Sequence, residues 1–124
     1  MKAVIYTSPG EYEYSANTKT VPVPGKGQVL IRVECVPINP SDTYYLAGMY
    51  KGQYTYPIVP GGEGSGTVIS SGGGFYAWTL VGKRVAFTRQ NERPGMFSKD
   101  GTYAEYCVTN ATYCIPLDAN TSFE

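Results

Sequence analysis

Apolar and polar residues alternate with a period of two along the most regular stretch of the chain, residues 28–38. One face would carry Val29, Ile31, Val33 and Cys35, and the other Arg32 and Glu34 together with Leu30 and Val36. Because successive side chains of a strand point to opposite faces, the pattern predicts a long strand buried on one side. Pro37 and Pro40 would end it, since proline cannot donate a ladder hydrogen bond.

The other apolar stretches are shorter and predict a mainly β chain. We expect strands at 2–7, 64–71, 83–88, 102–109 and 113–115. The three glycines at 72–74 predict a turn. Residues 51–61, with Gly52, Pro57, Pro60 and Gly61, predict an exposed loop, and residues 89–101 predict a polar loop. Residues 40–49 are the best helix candidate, because Pro40, Ser41 and Asp42 suit a helix start and Gly48 suits its end.

Many short strands joined by glycine and proline turns favour a compact barrel or sandwich over a doubly wound fold. The glycines at 61, 62, 64 and 66 come close to a dinucleotide-binding fingerprint. That fingerprint must follow a strand and open a helix, whereas Gly66 leads into a predicted strand. We therefore predict no dinucleotide-binding motif in this segment.

Composition narrows the classes of function that remain. The 124 residues include ten basic and ten acidic side chains, and this neutral balance argues against electrostatic binding to nucleic acid or a membrane. No apolar run reaches transmembrane length, and the N-terminus lacks a signal sequence, so we expect a cytoplasmic protein. The chain has no histidine, which excludes Ser-His-Asp and Cys-His catalysis and removes the commonest ligand of catalytic zinc.

Cysteine usage points to free thiols rather than to bridges or a metal site. Cys35, Cys107 and Cys114 are odd in number and widely spaced, which is typical of a reducing compartment. Cys35 and Cys107 fall on predicted strand faces, so we expect both to be core thiols. None has a neighbouring cysteine or histidine at ligand spacing, and no metal site is predicted.

Two polar segments could carry chemistry, and the first is Asn39-Pro40-Ser41-Asp42. Asn39 and Asp42 could simply end a strand and cap a helix, with Asp42 favoured near the positive end of the helix dipole. Alternatively, they could form the polar floor of a cleft, where an amide donates a hydrogen bond to a ligand oxygen. The residues alone leave both interpretations open.

The second segment is Gly61-Gly62-Glu63, within a stretch that has four glycines in seven positions. Glycine at this density indicates a positive φ or a backbone that lies against a neighbour. Glu63 is the only charge in an otherwise apolar run, and a buried carboxylate needs partners. Arg84 and Arg89 are candidates for a structural ion pair, and a place in the cleft is the alternative.

Tyrosines near the predicted helix are candidates for a hydrogen-bond donor to substrate. Tyr44 and Tyr45 would point to adjacent helix faces, so at most one of them faces a given groove. A phenol can donate to a carbonyl oxygen as that oxygen gains charge. We prefer Tyr50 for this role, because Gly48 frees its approach, although each ring could equally be an ordinary half-exposed tyrosine.

Several motifs in register resemble the N-terminal half of the medium-chain dehydrogenase/reductase superfamily, in particular its zinc-free quinone oxidoreductase and enoyl reductase branch. They are Met1-Lys2-Ala3-Val4, residues 24–33, Asn39-Pro40-Ser41-Asp42, Gly48-Met49-Tyr50, residues 60–68, Gly82-Lys83-Arg84-Val85 and residues 101–106. The resemblance implies a mainly β, GroES-like, partly open barrel with one or two short helices, acting as the catalytic domain.

By position in these motifs, the resemblance also implies roles for individual residues. Asn39 would approach the nicotinamide or ribose of NADPH, Tyr44 would lie on the cofactor side, and Tyr50 would donate a proton to substrate. Zinc-containing members carry a cysteine motif near residue 39 and Gly-His-Glu near 61–63, where this chain has Asn39 and Gly61-Gly62-Glu63. The resemblance therefore implies no zinc, and NADPH-dependent reduction of quinones or α,β-unsaturated carbonyls.

The same resemblance implies that residues 1–124 are one domain and that a Rossmann cofactor domain, expected after residue 124, is absent. The parent protein would be a homodimer, and the 124 residues alone would be inactive and would not bind NADPH tightly. The alternative is a non-enzymatic barrel that serves as an interaction or assembly module, with its partner on an exposed apolar patch.

Overall fold

A five-stranded antiparallel sheet forms the centre of the molecule. The computed structural model describes residues 1–8, 10–15, 19–47, 53–54, 56–89, 96–97 and 100–124. The strands are β1 (Ala3–Ser8), β2 (Glu11–Ser15), β3 (Gln28–Cys35), β4 (Gln53–Tyr54), β5 (Glu63–Ser71), β6 (Arg84–Thr88), β7 (Met96–Phe97), β8 (Tyr106–Asn110) and β9 (Cys114–Pro116). The helices are α1 (Pro40–Leu46), α2 (Phe75–Leu80) and a 3₁₀ turn, Ala111–Tyr113.

The order of strands in the central sheet is β8-β3-β5-β6-β9, and all neighbouring strands are antiparallel. β1 and β2 form a separate hairpin, and β4 pairs with β7 in parallel. Single bridges from Ala3 to Ala104 and from Tyr6 to Ile58 attach β1 to the loops around the sheet. The prediction of a mainly β, partly open barrel with one or two short α-helices is confirmed.

The core lies against the face of β3 that alternation predicted. Val29 and Ile31 are fully buried and pack with Val68 of β5 and Phe87 of β6. Leu30 is also buried, because the opposite face of β3 is covered near its start. β3 ends at Cys35, two residues before Pro37, so the predicted strand 28–38 was too long at its C-terminal end.

Several predicted boundaries were wrong in detail. The strand predicted at 102–109 begins only at Tyr106, because residues 102–105 are irregular apart from the single bridge at Ala104. The helix predicted at 40–49 ends at Leu46. Gly48, its expected terminator, lies outside the described residues. The predicted loop 51–61 is not simply exposed, since Ile58, Val59 and Pro60 are buried beneath β1.

Candidate functional site

The turn after β3 places Asn39 and Asp42 at the start of α1. The backbone N–H of Asn39 donates to the Asp42 carboxylate (2.8 Å), and the N–H of Asp42 donates to the Asn39 carbonyl (2.9 Å). Asn39 is the residue before the helix, and the Asp42 side chain, three residues later, accepts its backbone N–H. This is one of the two hydrogen bonds of a capping box. Asp42 is buried, and its hydrogen bond to Asn39 corresponds to the capping alternative of the two that the sequence left open.

The Asn39 side chain joins the two segments that the sequence singled out. Its Nδ2 donates to Oε1 of Glu63 over 2.8 Å, although the two residues are 24 positions apart. Glu63 opens β5 and is exposed, so the expectation of a buried carboxylate was wrong. Its partner is Asn39 rather than Arg84, whose guanidinium donates instead to the carbonyls of Asp118 and Thr121.

Gly61 and Gly62 differ, although they are adjacent in the sequence. Gly61 is buried with φ of +101°, and a Cβ there would overlap the Thr102 hydroxyl and the Tyr103 ring. Gly62 is exposed, and a Cβ there would meet nothing within 4 Å. Of these two glycines, only Gly61 makes the predicted close approach, and it holds the chain entering β5 against the 101–103 turn. Further along β5, Gly66 also lies close to the Arg32 carbonyl of β3.

Tyr103 supports this corner and was not predicted as a site residue. Its hydroxyl donates to the Pro37 carbonyl (3.1 Å), so it braces the turn that carries Asn39. Desolvation, together with the nearby Asp42 carboxylate, raises the pKa of Tyr103 to about 12. This phenol therefore stays protonated at physiological pH and remains a donor. Only its place in the 101–106 motif could have drawn attention to it.

A cleft of about 740 Å³ opens beside Glu63. Its apolar lining comes mainly from Val36, Phe87, Tyr113, Ile115 and Phe123. Three carboxylates, Glu34, Glu63 and Glu124, also line it, while the described lining includes no lysine or arginine. Sequence reasoning missed these apolar residues, because they come from separate segments that only the folded sheet brings together.

The predicted tyrosines are not all placed in this cleft. Tyr44 lies on α1 with 52% of its surface exposed. The described residues that line the cleft do not include Tyr44, Asn39 or Asp42. Tyr50, preferred as the donor to substrate, lies outside the described residues. The structure therefore brings together Asn39, Asp42, Gly61 and Glu63, and leaves Tyr44 on a neighbouring exposed surface.

The C-terminal segment crosses one end of the cleft. Arg84 donates to the Asp118 carbonyl (3.1 Å) and the Thr121 carbonyl (2.7 Å), and its guanidinium lies 4.2 Å from the centre of the Phe123 ring. The Ser65 hydroxyl donates to the Phe123 carbonyl. These contacts attach residues 118–123 to β5 and β6, so that Phe123 and Glu124 become part of the cleft wall.

The three cysteines are free thiols. Cys107 is buried as predicted, whereas Cys35 is only half-buried and lines the cleft, which corrects its assignment to the core. Burial raises the pKa of Cys107 to about 12 and that of Cys114 to about 11. No group of three or more cysteine or carboxylate side chains in the described ranges is close enough to hold a metal ion.

Comparison with known proteins identifies the family. The alcohol dehydrogenase GroES-like domain family matches residues 25–119. The zinc-type alcohol dehydrogenase-like protein C337.11 of Schizosaccharomyces pombe is 37% identical over 116 residues, which are 93% of this chain and 33% of that protein. Rat quinone oxidoreductase is 33% identical over 99 residues, covering 77% of this chain and 27% of the enzyme.

A solved structure supports the same assignment. The mycobacterial protein Rv1454c, whose structure was solved in complex with NADPH, superposes with a TM-score of 0.77 at 30% identity. The match covers 99% of this chain and 34% of that chain. The chain belongs to the alcohol dehydrogenase GroES-like domain family. It spans about a third of the length of the relatives it matches. Among the described helices, none has the length and apolar character needed to cross a membrane.

Proposed function

We propose that this domain is the substrate side of an NADPH-dependent oxidoreductase that reduces quinones or α,β-unsaturated carbonyls by hydride transfer. The observation that supports this most is the apolar cleft beside the Asn39–Glu63 pair, in a chain that the family matches over residues 25–119. Apolar walls suit a flat, weakly polar substrate, and few polar groups at the rim suffice to orient it. The rest of the active site would come from a Rossmann domain in the same protein.

The described residues of this chain could bind the nicotinamide and ribose end of NADPH, but not its phosphates. Asn39, which contacts the cleft residue Glu63, and Tyr44, on the neighbouring exposed surface, carry an amide and a phenol that can hydrogen-bond a carboxamide or a ribose hydroxyl. The cleft lining has carboxylates and, in its described part, no lysine or arginine to bind a phosphate. Bound NADPH supplies the hydride, while the residues of this chain orient the nicotinamide and exclude water from the substrate.

Zinc independence is part of the same proposal. The Schizosaccharomyces pombe relative is named zinc-type, but this chain has no histidine and carries Asn39 and Gly62 where the resemblance places zinc ligands. Glu63, which remains at the third position, accepts a hydrogen bond from Asn39. Zinc prefers sulfur and imidazole ligands. An amide and a carboxylate are instead suited to the hydrogen bond that they form here.

Tyr50 is the proposed donor to the substrate oxygen as negative charge develops there. In the protein that joins this domain to its cofactor domain, Tyr50→Phe should lower kcat about 100-fold, the effect of removing one donor to a developing oxyanion. The KM for NADPH should stay unchanged, because the phenol contacts substrate. Stopped-flow oxidation of NADPH with a quinone and with an enone measures both parameters.

Tyr44→Phe is the matched control on the cofactor side. It should raise the KM for NADPH and leave kcat almost unchanged, which is the opposite pattern. An unchanged kcat in Tyr50→Phe would remove Tyr50 from the reaction. Reductase turnover by residues 1–124 alone would refute the proposed need for a second domain.

A further inference from the structure

Helix α2 presents an aromatic surface to solvent. Phe75, Tyr76 and Trp78 are 81%, 47% and 64% exposed, and Val81 follows at 42%. Ala77 and Leu80, on the opposite side of the helix, are buried in the core and fix its orientation. The rings of Phe75 and Trp78 lie 6.2 Å apart. We call Phe75, Tyr76, Trp78 and Val81 the aromatic patch; none of them lines the cleft.

Two exposed lysines lie at the two ends of this patch. Lys26 is held near the start of α2, because the N–H of Gly27 donates to the Gly73 carbonyl over 2.8 Å. Lys83 follows the end of α2, where its N–H donates to the Leu80 carbonyl over 2.9 Å. Within the described part of the chain, neither ammonium group forms an ion pair.

Charge is segregated along this neutral chain. Residues 14–33, 64–91 and 106–117, which build most of the central sheet and α2, contain no aspartate or glutamate. Of their basic residues, Lys19 is paired with Asp100 and Arg32 with Glu34, and Arg84 donates to backbone carbonyls. The segments that carry the aromatic patch and both lysines therefore contain no acidic side chain, although the net charge of the whole chain is zero.

We propose that the aromatic patch, with Lys26 and Lys83, binds the surface of a membrane that contains anionic lipids. Aromatic rings favour the boundary between headgroups and acyl chains, and lysines near such a surface are attracted to its negative charge. Lysine is depleted in protein–protein interfaces, so the cationic rim favours lipid over a protein partner. The expectation of no membrane interaction was based on net charge, whereas this proposal is based on the local charge beside the patch. This inference is independent of the proposed reductase function.

Trp78 is the single tryptophan of the chain, so its fluorescence can report whether the patch binds lipid. The 124-residue chain is titrated with vesicles of phosphatidylcholine alone and of phosphatidylcholine mixed with phosphatidylserine. We expect a blue shift of the tryptophan emission, and quenching by brominated acyl chains, only with the mixed vesicles. Lys26→Gln with Lys83→Gln should weaken binding about 25-fold, roughly five-fold for each lysine.

Matched variants separate the patch from general surface effects. The double variant Phe75→Ser with Tyr76→Ser keeps Trp78 and should lower the affinity for mixed vesicles by roughly an order of magnitude or more. Tyr14→Ser and Lys2→Gln change exposed residues elsewhere and should leave that affinity unchanged. Far-UV circular dichroism verifies that each variant is folded. Equal binding to both vesicles, or none to either, overturns the proposal. A blue shift without lipid, with a doubled mass, would instead show that a second copy covers the patch.

Discussion

At the scale of single residues, the glycine-rich segment shows what a sequence can and cannot specify. Four glycines in seven positions predicted that the backbone takes an unusual conformation or lies against a neighbour. The sequence could not tell which glycines do so, because Gly61 lies against Thr102 and Tyr103, some forty residues away, and Gly66 lies against Arg32 of β3. Glu63 illustrates the same limit: its importance was predicted, but its partner, Asn39, became evident only from the folded chain.

Gly61→Ala should destabilise the fold by roughly 2–4 kcal/mol, because alanine strains a φ of +101° and its Cβ overlaps the Thr102 and Tyr103 side chains. Gly62→Ala is the neighbouring control, with open space around it, and should change stability by no more than about 0.5 kcal/mol. Urea unfolding of both variants measures the difference. Equal midpoints for the two variants would show that Gly61 does not hold this corner.

At the scale of elements, alternation predicted the central strands, and it was less useful elsewhere. β2, with its alternating Glu-Tyr-Glu-Tyr, carried a period-two signal that the prediction left unused. Helix α2 was missed because Phe75, Tyr76, Trp78 and Thr79 favour strands. It forms a helix because Ala77 and Leu80, three residues apart, both pack into the core, so tertiary packing overrides local propensity.

The start of α1 depends on the Asp42 carboxylate that accepts the Asn39 N–H. Asp42→Ala should destabilise the domain by about 1 kcal/mol, the usual cost of losing a capping contact. Asp42→Asn keeps an acceptor oxygen and should cost less than half as much. Thermal unfolding measures both changes, and amide exchange at Asn39 localises the effect. If the two variants lose equal stability, the negative charge rather than the capping hydrogen bond stabilises this helix.

At the scale of the whole molecule, the fold class followed from strand number and turn chemistry, but the cleft did not. Its walls come from the end of β3 and the turn that follows it, from β5, β6 and β9, and from the C-terminal segment. Arg84 and Ser65 hold that C-terminal segment in place. Such a surface depends on the strand order β8-β3-β5-β6-β9, in which β8 and β9 lie at opposite edges despite being consecutive in the chain. Periodicity within a strand contains no information about that order.

Alkylation of the three cysteine thiols can report whether the whole chain is folded. Burial raises the pKa of Cys107 to about 12 and that of Cys114 to about 11, from an ordinary value of 9.0. At pH 8 the folded chain should therefore alkylate first at Cys35, which lines the cleft, and should label the two buried thiols only after urea unfolding. Mass spectrometry after iodoacetamide treatment counts the labelled sites.

The same two thiols predict how stability depends on alkaline pH. Because their pKa values are higher in the folded chain, the folded state binds more protons than the unfolded state between about pH 9 and 12, with Cys114 contributing up to about pH 11 and Cys107 up to about pH 12. The contribution of these two thiols to the free energy of unfolding should therefore be constant below pH 8. It should fall as the pH rises through that window. Cys107→Ala with Cys114→Ala should flatten this fall, while Cys35→Ala should retain it. A slope that is identical in all three proteins would mean that tyrosines or lysines, rather than the buried thiols, determine the alkaline limit of the fold.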